Sequence, residues 1–255
     1  MAILGISLKD NKEQQELARL IATNDIPIIL CAGPAGTGKT LVTVASALQL
    51  KLEKKYKYVV FARNPVQLGE DMGALPGGID EKYSPFMGPL YDNLEAIAEI
   101  SADRLNAKDL ASKVEIEPIA FLRGRSFRNS IIIVDEAQNL DLIALKTILT
   151  RVGDYCKVVL LGSMNQIDDK KQKKQSVCDF QKVIDKIKDL PYVGYVELTK
   201  SMRSPWCVEL DNILGEIDRP IHKDQPQERE FAYQATWGDG ENEGTIDIYR
   251  DCRKK

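Results

Sequence analysis

Eight consecutive residues, Gly33-Pro34-Ala35-Gly36-Thr37-Gly38-Lys39-Thr40, have types and spacing suited to one kind of chemistry. They fit G-x-x-x-x-G-K-[ST] and follow the apolar run Pro27-Ile28-Ile29-Leu30-Cys31. Glycines at this spacing let the backbone wind tightly, so that successive N–H groups converge on phosphate oxygens. Lys39 adds a point charge and Thr40 a hydroxyl suited to Mg²⁺. The loop, continued by Leu41 into the next segment, is expected to cradle a nucleotide such as ATP. A second cluster is Asp135-Glu136, which ends the β-branched run Ile131-Ile132-Ile133-Val134. A run without alternation suits a strand buried on both faces of a parallel sheet, and puts both carboxylates at its C-terminal edge, where α/β proteins bind ligands. Asp135 is expected in the Mg²⁺ shell, and Glu136, pointing elsewhere, is suited to polarise an attacking water as a general base.

The elements that must hold these groups are legible as alternation. Strand-like runs at 27–31, 58–62, 130–134, 157–161 and 193–198 are separated by helical patterns, among them 11–23 and 41–50. This predicts an α/β fold, a doubly wound and mostly parallel sheet flanked by helices. A strand lies between the loop and Asp135, and a glutamate directly follows that aspartate; both favour a RecA-like P-loop NTPase over a P-loop kinase. Residues 69–111 read as an insertion, first rich in turn signals (Pro76-Gly77-Gly78, Ser84-Pro85, Gly88-Pro89) and then helical. Past about 215 the alternation ends, so 1–215 is the expected catalytic domain and 216–255 a short extension, small β or partly disordered.

The 255 residues, 44% hydrophobic, suffice for one large α/β domain with an appendage but not for two motor domains. A net charge of −3 leaves any nucleic-acid binding to local patches. The five cysteines are scattered without C-x-x-C spacing and read as reduced thiols, and no apolar run approaches 18 residues. A cytoplasmic protein with no membrane contact is expected. The lone His222 lies in a polar stretch and reads as solvated.

Further motifs extend the pattern: Ala62-Arg63-Asn64-Pro65, the stretch GEDMGALPGGIDEKYSPFMGPLYDNL at 69–94, Phe121-Leu122-Arg123-Gly124-Arg125, Asp135-Glu136-Ala137-Gln138-Asn139, and Gly162 through Gln166-Ile167-Asp168. In this order, over about residues 10 to 215, they resemble the PhoH-like family, ATPases related to the first motor domain of superfamily 1 helicases. The resemblance implies ATP binding with Mg²⁺ and hydrolysis to ADP and phosphate. It implies that Gln14 reads adenine, with Gln15 as a rival, and that Gln166 senses the γ-phosphate and the attacking water. Arg203 is the candidate phosphate-sensing arginine, with Arg123, Arg125 and Arg128 as competitors in cis or from a neighbouring subunit. The catalytic set is therefore Lys39, Glu136, Gln166 and Arg203. One departure stands out: the family usually has Gly-Asp where this chain has Gly162-Ser163, which predicts slower hydrolysis.

In superfamily 1 proteins the loop after the second strand grips a single strand, so Arg63 and Asn64 are candidates for nucleic-acid contact. Arg123 and Arg125, interleaved with Phe121 and Phe127, suit phosphate neutralisation and base stacking. Lys170-Lys171-Gln172-Lys173-Lys174 is either a similar patch or a solvated loop beside Asp168 and Asp169. A single motor domain cannot close a nucleotide cleft as two domains do, which predicts a homo-oligomer, a hexameric ring among the options. The expected activity is an ATPase coupled to single-stranded RNA or DNA. The alternative is an ATP-gated assembly module that hydrolyses slowly.

Overall fold

The computed structural model describes residues 1–63, 87–101, 105–122, 127–164, 166–167, 175, 177–218, 229–238 and 243–251. The chain divides into two compact units, Met1–Arg203 and Ser204–Lys255. In the first unit β1 (Ala2–Ile3) and β2 (Ile6–Ser7) form a short hairpin, followed by α1 (Lys12–Ala22), β3 (Ile28–Ala32), α2 (Lys39–Leu52) and β4 (Tyr58–Arg63). Next come α3 (Gly88–Ile100), α4 (Ala107–Ala111), β5 (Val114–Ile116), α5 (Ile119–Leu122) and β6 (Ser130–Asp135). A 3-10 turn at Ala137–Asn139, then α6 (Leu142–Leu149), β7 (Lys157–Gly162), α7 (Asp179–Ile187) and β8 (Val193–Glu197) complete it. The second unit holds α8 (Pro205–Asp218) and an antiparallel pair, β9 (Arg229–Gly238) with β10 (Glu243–Asp251).

Six strands form one sheet in the order β5-β4-β6-β7-β3-β8, and every neighbouring pair is parallel. The α/β expectation therefore holds, with one strand more than the sequence predicts. β5 was missed because it is only three residues long and carries Glu115 at its centre, so no apolar run marks it. Its pairing with Val59, Val60 and Phe61 of β4 makes it a strand.

Alternation along the buried strands divides the core in two. Ile29, Cys31, Val59, Phe61, Ile131, Ile133, Val159 and Leu161 pack with α1, α2 and α3 on one face. Leu30, Ala32, Val60, Ala62, Ile132, Val134, Val158 and Leu160 pack with α6 and α7 on the other. Burial on both faces explains why these strands read as continuous apolar runs. Lys157 enters this core at the start of β7, where its Nζ donates to the carbonyls of Thr23 and Ile26. Burial lowers its pKa to about 8.

The register aligns the C-terminal strand ends. Ala32 lies opposite Gly162 and Glu197, and Arg63 lies opposite Asp135. Strand β7 separates the β3 end, where the glycine loop begins, from the β6 end with its carboxylates. The loop N–H of Gly33 donates across this edge to the Gly162 carbonyl at 3.1 Å. Loop, carboxylates and sensor segment thus share one rim.

Candidate active site

The glycine loop joins β3 to α2. Gly38 caps α2 at φ 84°, and it offers no side chain to the first-turn N–H groups. They face outward at the N-terminus of a 14-residue helix, an arrangement that favours an anion. Gly33 is needed for a different reason, since a Cβ there would stand 2.3 Å from the carbonyl oxygen of Leu198. Lys39 extends back along the loop, and its Nζ donates to the carbonyls of Gly33 and Pro34, each at 2.7 Å. Burial lowers its pKa, and Arg203 pushes the same way. Thr37 closes the wind by donating through Oγ1 to the Pro34 carbonyl at 3.0 Å.

Thr40 Oγ1 donates to Asp135 Oδ1 at 3.3 Å, across the intervening strand. A hydroxyl and a carboxylate beside free helix N–H groups form the all-oxygen donor set that Mg²⁺ prefers when phosphates complete its shell. These residues fit the ion. Asp135 is buried, and its pKa is pushed up to about 6 by that burial and then by the charge of Glu136, with Arg63 opposing. Glu136 takes a left-handed backbone at φ 56°, ψ 42°, which costs a non-glycine residue about 1–3 kcal/mol, and it lines the cleft. Its Oε1 accepts from the Arg63 guanidinium at 3.2 Å and its Oε2 from Gln138 Nε2 at 2.5 Å.

Gln138 is a residue to which sequence reasoning gave no role. It is fully buried; its Nε2 donates also to the Gln166 carbonyl at 2.8 Å, and its Oε1 accepts the Ser163 N–H at 3.0 Å. One amide thus ties Glu136 to the segment carrying Gln166. The only sequence signal was its place in the Asp135–Asn139 motif. Asn93 and Pro89 of α3 also reach the cleft, so the insertion contributes to its wall.

The cleft holds about 320 Å³, and its lining includes Ala35, Gly36, Gly38, Lys39, Thr40 and Leu41 from the loop, with Asp135, Glu136, Ser163, Gln166 and Arg203. Arg203 lies over the loop, where a Cβ on Gly36 would meet its side chain at 2.6 Å. The Met202 N–H donates to the Gly36 carbonyl at 2.8 Å and fixes this segment. The Ser163 hydroxyl is buried without a hydrogen-bond partner among the described residues. Gln14 reaches the loop from α1, donating through Nε2 to the Thr37 carbonyl at 2.9 Å, while Gln15 turns to the carbonyls of Leu8 and Lys9.

Arg63, expected as a nucleic-acid contact, lines the cleft. Not every expected residue gathers here. Arg128 sits at the other end of β6, about 20 Å away by strand rise, beside an open groove of about 580 Å³ that it lines with Phe127, Thr150 and Arg151. That groove is larger than the cleft, but its lining has a single carboxylate, Asp154, and no glycine loop at a helix N-terminus. Asn64, Arg123, Arg125 and 170–174 lie outside the described residues.

Sheet order and the glycine loop together give the chain a RecA-like P-loop fold. The family model described as "PhoH-like protein" matches residues 7–214, and the chain belongs to that family. It is 39% identical over 206 residues to "Protein PhoH2" of Bacillus subtilis (strain 168), covering 79% of this chain and 46% of that protein. It is 33% identical over 199 residues to "Protein PhoH" of Escherichia coli (strain K12), covering 77% of this chain and 55% of that protein. The chain thus spans about half the length of these relatives. Among solved structures, the Pif1 helicase from Candida albicans overlays with a TM-score of 0.42 at 15% identity, over 80% of this chain and 44% of that one. No described helix is long and apolar enough to cross a membrane.

Proposed function

We propose that this protein binds ATP with Mg²⁺ in the cleft of the β3–α2 loop and hydrolyses it to ADP and phosphate, coupled to single-stranded RNA or DNA. The observation that carries this reading is the Thr40–Asp135 contact beside a separately oriented Glu136. Loop N–H groups and Lys39 hold the β- and γ-phosphates. Mg²⁺, held by Thr40 and Asp135, supplies charge neutralisation at the transferred phosphate. Glu136 accepts a proton from water as its oxygen attacks the γ-phosphorus and the bond to the ADP oxygen breaks. Gln166 orients that water, Arg203 senses the phosphate over the loop, and Gln14 retains Oε1 to accept from the adenine amino group.

Residues 1–215 form the ATPase domain in this reading, in line with the family match to residue 214, and 216–255 form an extension. The protein works as a cytoplasmic homo-oligomer, a hexameric ring included, in which a neighbouring subunit completes the cleft. Asn64, Arg123 and Arg125 stay in the proposed nucleic-acid path. A second reading, an ATP-gated assembly module, is favoured by Ser163, whose hydroxyl stands where the family usually has a carboxylate.

The test is phosphate release from Mg²⁺ATP by protein alone, with single-stranded RNA and with single-stranded DNA. Glu136→Gln, which keeps binding and lowers turnover about 10²–10⁴-fold, gives the background. Stimulation by one polymer supports the coupled ATPase and names its substrate. Release at mutant level in all three samples, with ATP-dependent oligomerisation, supports the assembly module.

A further inference from the structure

Arg63 ends β4 in direct register with Asp135 at the end of β6. Parallel partners point to the same face, and these two continue the face of Phe61 and Ile133, where α2 packs. Strand pairing, not a flexible loop, therefore delivers the guanidinium to the cleft. Its NH1 lies 3.6 Å from Asp135 Oδ2 and its NH2 lies 3.2 Å from Glu136 Oε1, so one cation bridges both carboxylates. The oxygens of Asp135 are divided, Oδ1 to the Thr40 hydroxyl and Oδ2 to Arg63.

This bridge conflicts with the work assigned to both acids. A divalent ion held by Thr40 and Asp135 would stand beside the guanidinium, and like charges that close repel. Glu136 cannot take a proton through Oε1 while that oxygen is held by Arg63. Among the described charged groups lining the cleft, Lys39, Arg63 and Arg203 are cationic against Asp135 and Glu136, so these groups alone carry a positive excess toward incoming phosphates.

Resting on the ATPase reading above, we propose that Arg63 is an exchangeable counter-ion: it neutralises the Asp135–Glu136 pair before nucleotide arrives, and passes to the γ-phosphate when Mg²⁺ATP binds. The planar fork that pairs with carboxylate oxygens matches phosphate oxygens as well. The exchange frees Glu136 Oε1 at the moment the substrate is in place, and it requires a third phosphate. ATP releases the base and ADP leaves it engaged. Arg63 thereby becomes a specificity determinant for triphosphate over diphosphate, and a brake on metal binding in the absence of nucleotide.

Two readouts independent of turnover test this. Mn²⁺ alone is titrated into nucleotide-free protein by electron paramagnetic resonance, and dissociation constants for ATP and ADP are measured with Mg²⁺ by calorimetry. For Arg63→Ala the expected results are Mn²⁺ binding at least tenfold tighter than wild type, and an ATP-to-ADP affinity ratio reduced at least tenfold with ADP affinity within threefold. Arg63→Lys keeps the counter-ion charge but loses the fork, so it should retain wild-type Mn²⁺ affinity and lose triphosphate preference. Should Arg63→Ala fail to fold, Arg63→Lys and Arg63→Gln carry the same comparison. Unchanged Mn²⁺ affinity and an unchanged ATP-to-ADP ratio in a folded variant overturn the proposal. Absence of ATP binding by wild type would instead overturn the ATPase reading on which it rests.

Discussion

Asp135 shows how a site residue trades stability for chemistry. Its carboxyl titrates near pH 6 in the folded protein against an ordinary 3.8, because burial and the neighbouring Glu136 disfavour its charge. A raised carboxyl pKa means that the folded state holds the proton more tightly. The associated stability is present below about pH 4 and is lost as pH rises through 6, at a cost of about 3 kcal/mol for a shift of this size. Asp135→Asn lacks this titration. In EDTA and without nucleotide, its Tm relative to wild type should be more favourable at pH 7.5 than at pH 5, and an equal difference at both would show that Asp135 is not strained by ionisation. At this scale the sequence was legible where chemistry dictates residue type: glycines, Lys39, Thr40 and the two acids. It was not legible for Arg63 and Gln138. The location of Arg63 depends on β4 pairing with β6, a non-local event. The reach of Gln138 depends on the left-handed turn at Glu136, which no residue preference announces.

Within the six-stranded sheet, strands succeed or fail in the sequence by length. Its five longer strands announce themselves because burial on both faces demands apolar runs, and each begins and ends within about a residue of its expected bounds. The β1–β2 hairpin and β5 are too short for periodicity, and packing rather than pattern creates them. Helix α1 has a role in the site that its amphipathic pattern did not reveal. Asn11 caps it, accepting the Gln14 N–H at Oδ1 at 3.1 Å. Gln14 holds the glycine loop, and Glu13 accepts from the N–H and hydroxyl of Thr199, each at 2.6 Å, on the segment that leads to Arg203. Asn11→Ala should cost about 1 kcal/mol and lower Tm by about 2–4 °C, read by calorimetry. Because the cap steadies both tethers, ATP affinity should weaken by a few-fold as well. A changed Tm with unaltered affinity would confine Asn11 to a structural part.

For the whole molecule, the family match over residues 7–214 spans every described residue that lines the cleft, and the chain covers about half of its curated relatives. In the proposed assembly a second copy of the chain completes the cleft. Sedimentation with and without Mg²⁺ATP should show an assembly that ATP promotes; monomer alone under both conditions would remove the subunit interface from the account. All of this depends on the cleft being a nucleotide site. Calorimetric titration of Mg²⁺ATP into wild type and Lys39→Ala tests that claim most directly. Saturable binding near one ATP per chain, weakened on the order of a hundredfold or more by the lost charge-assisted contacts, is the predicted result. Absence of binding to wild type, or equal affinity in both proteins, would contradict it.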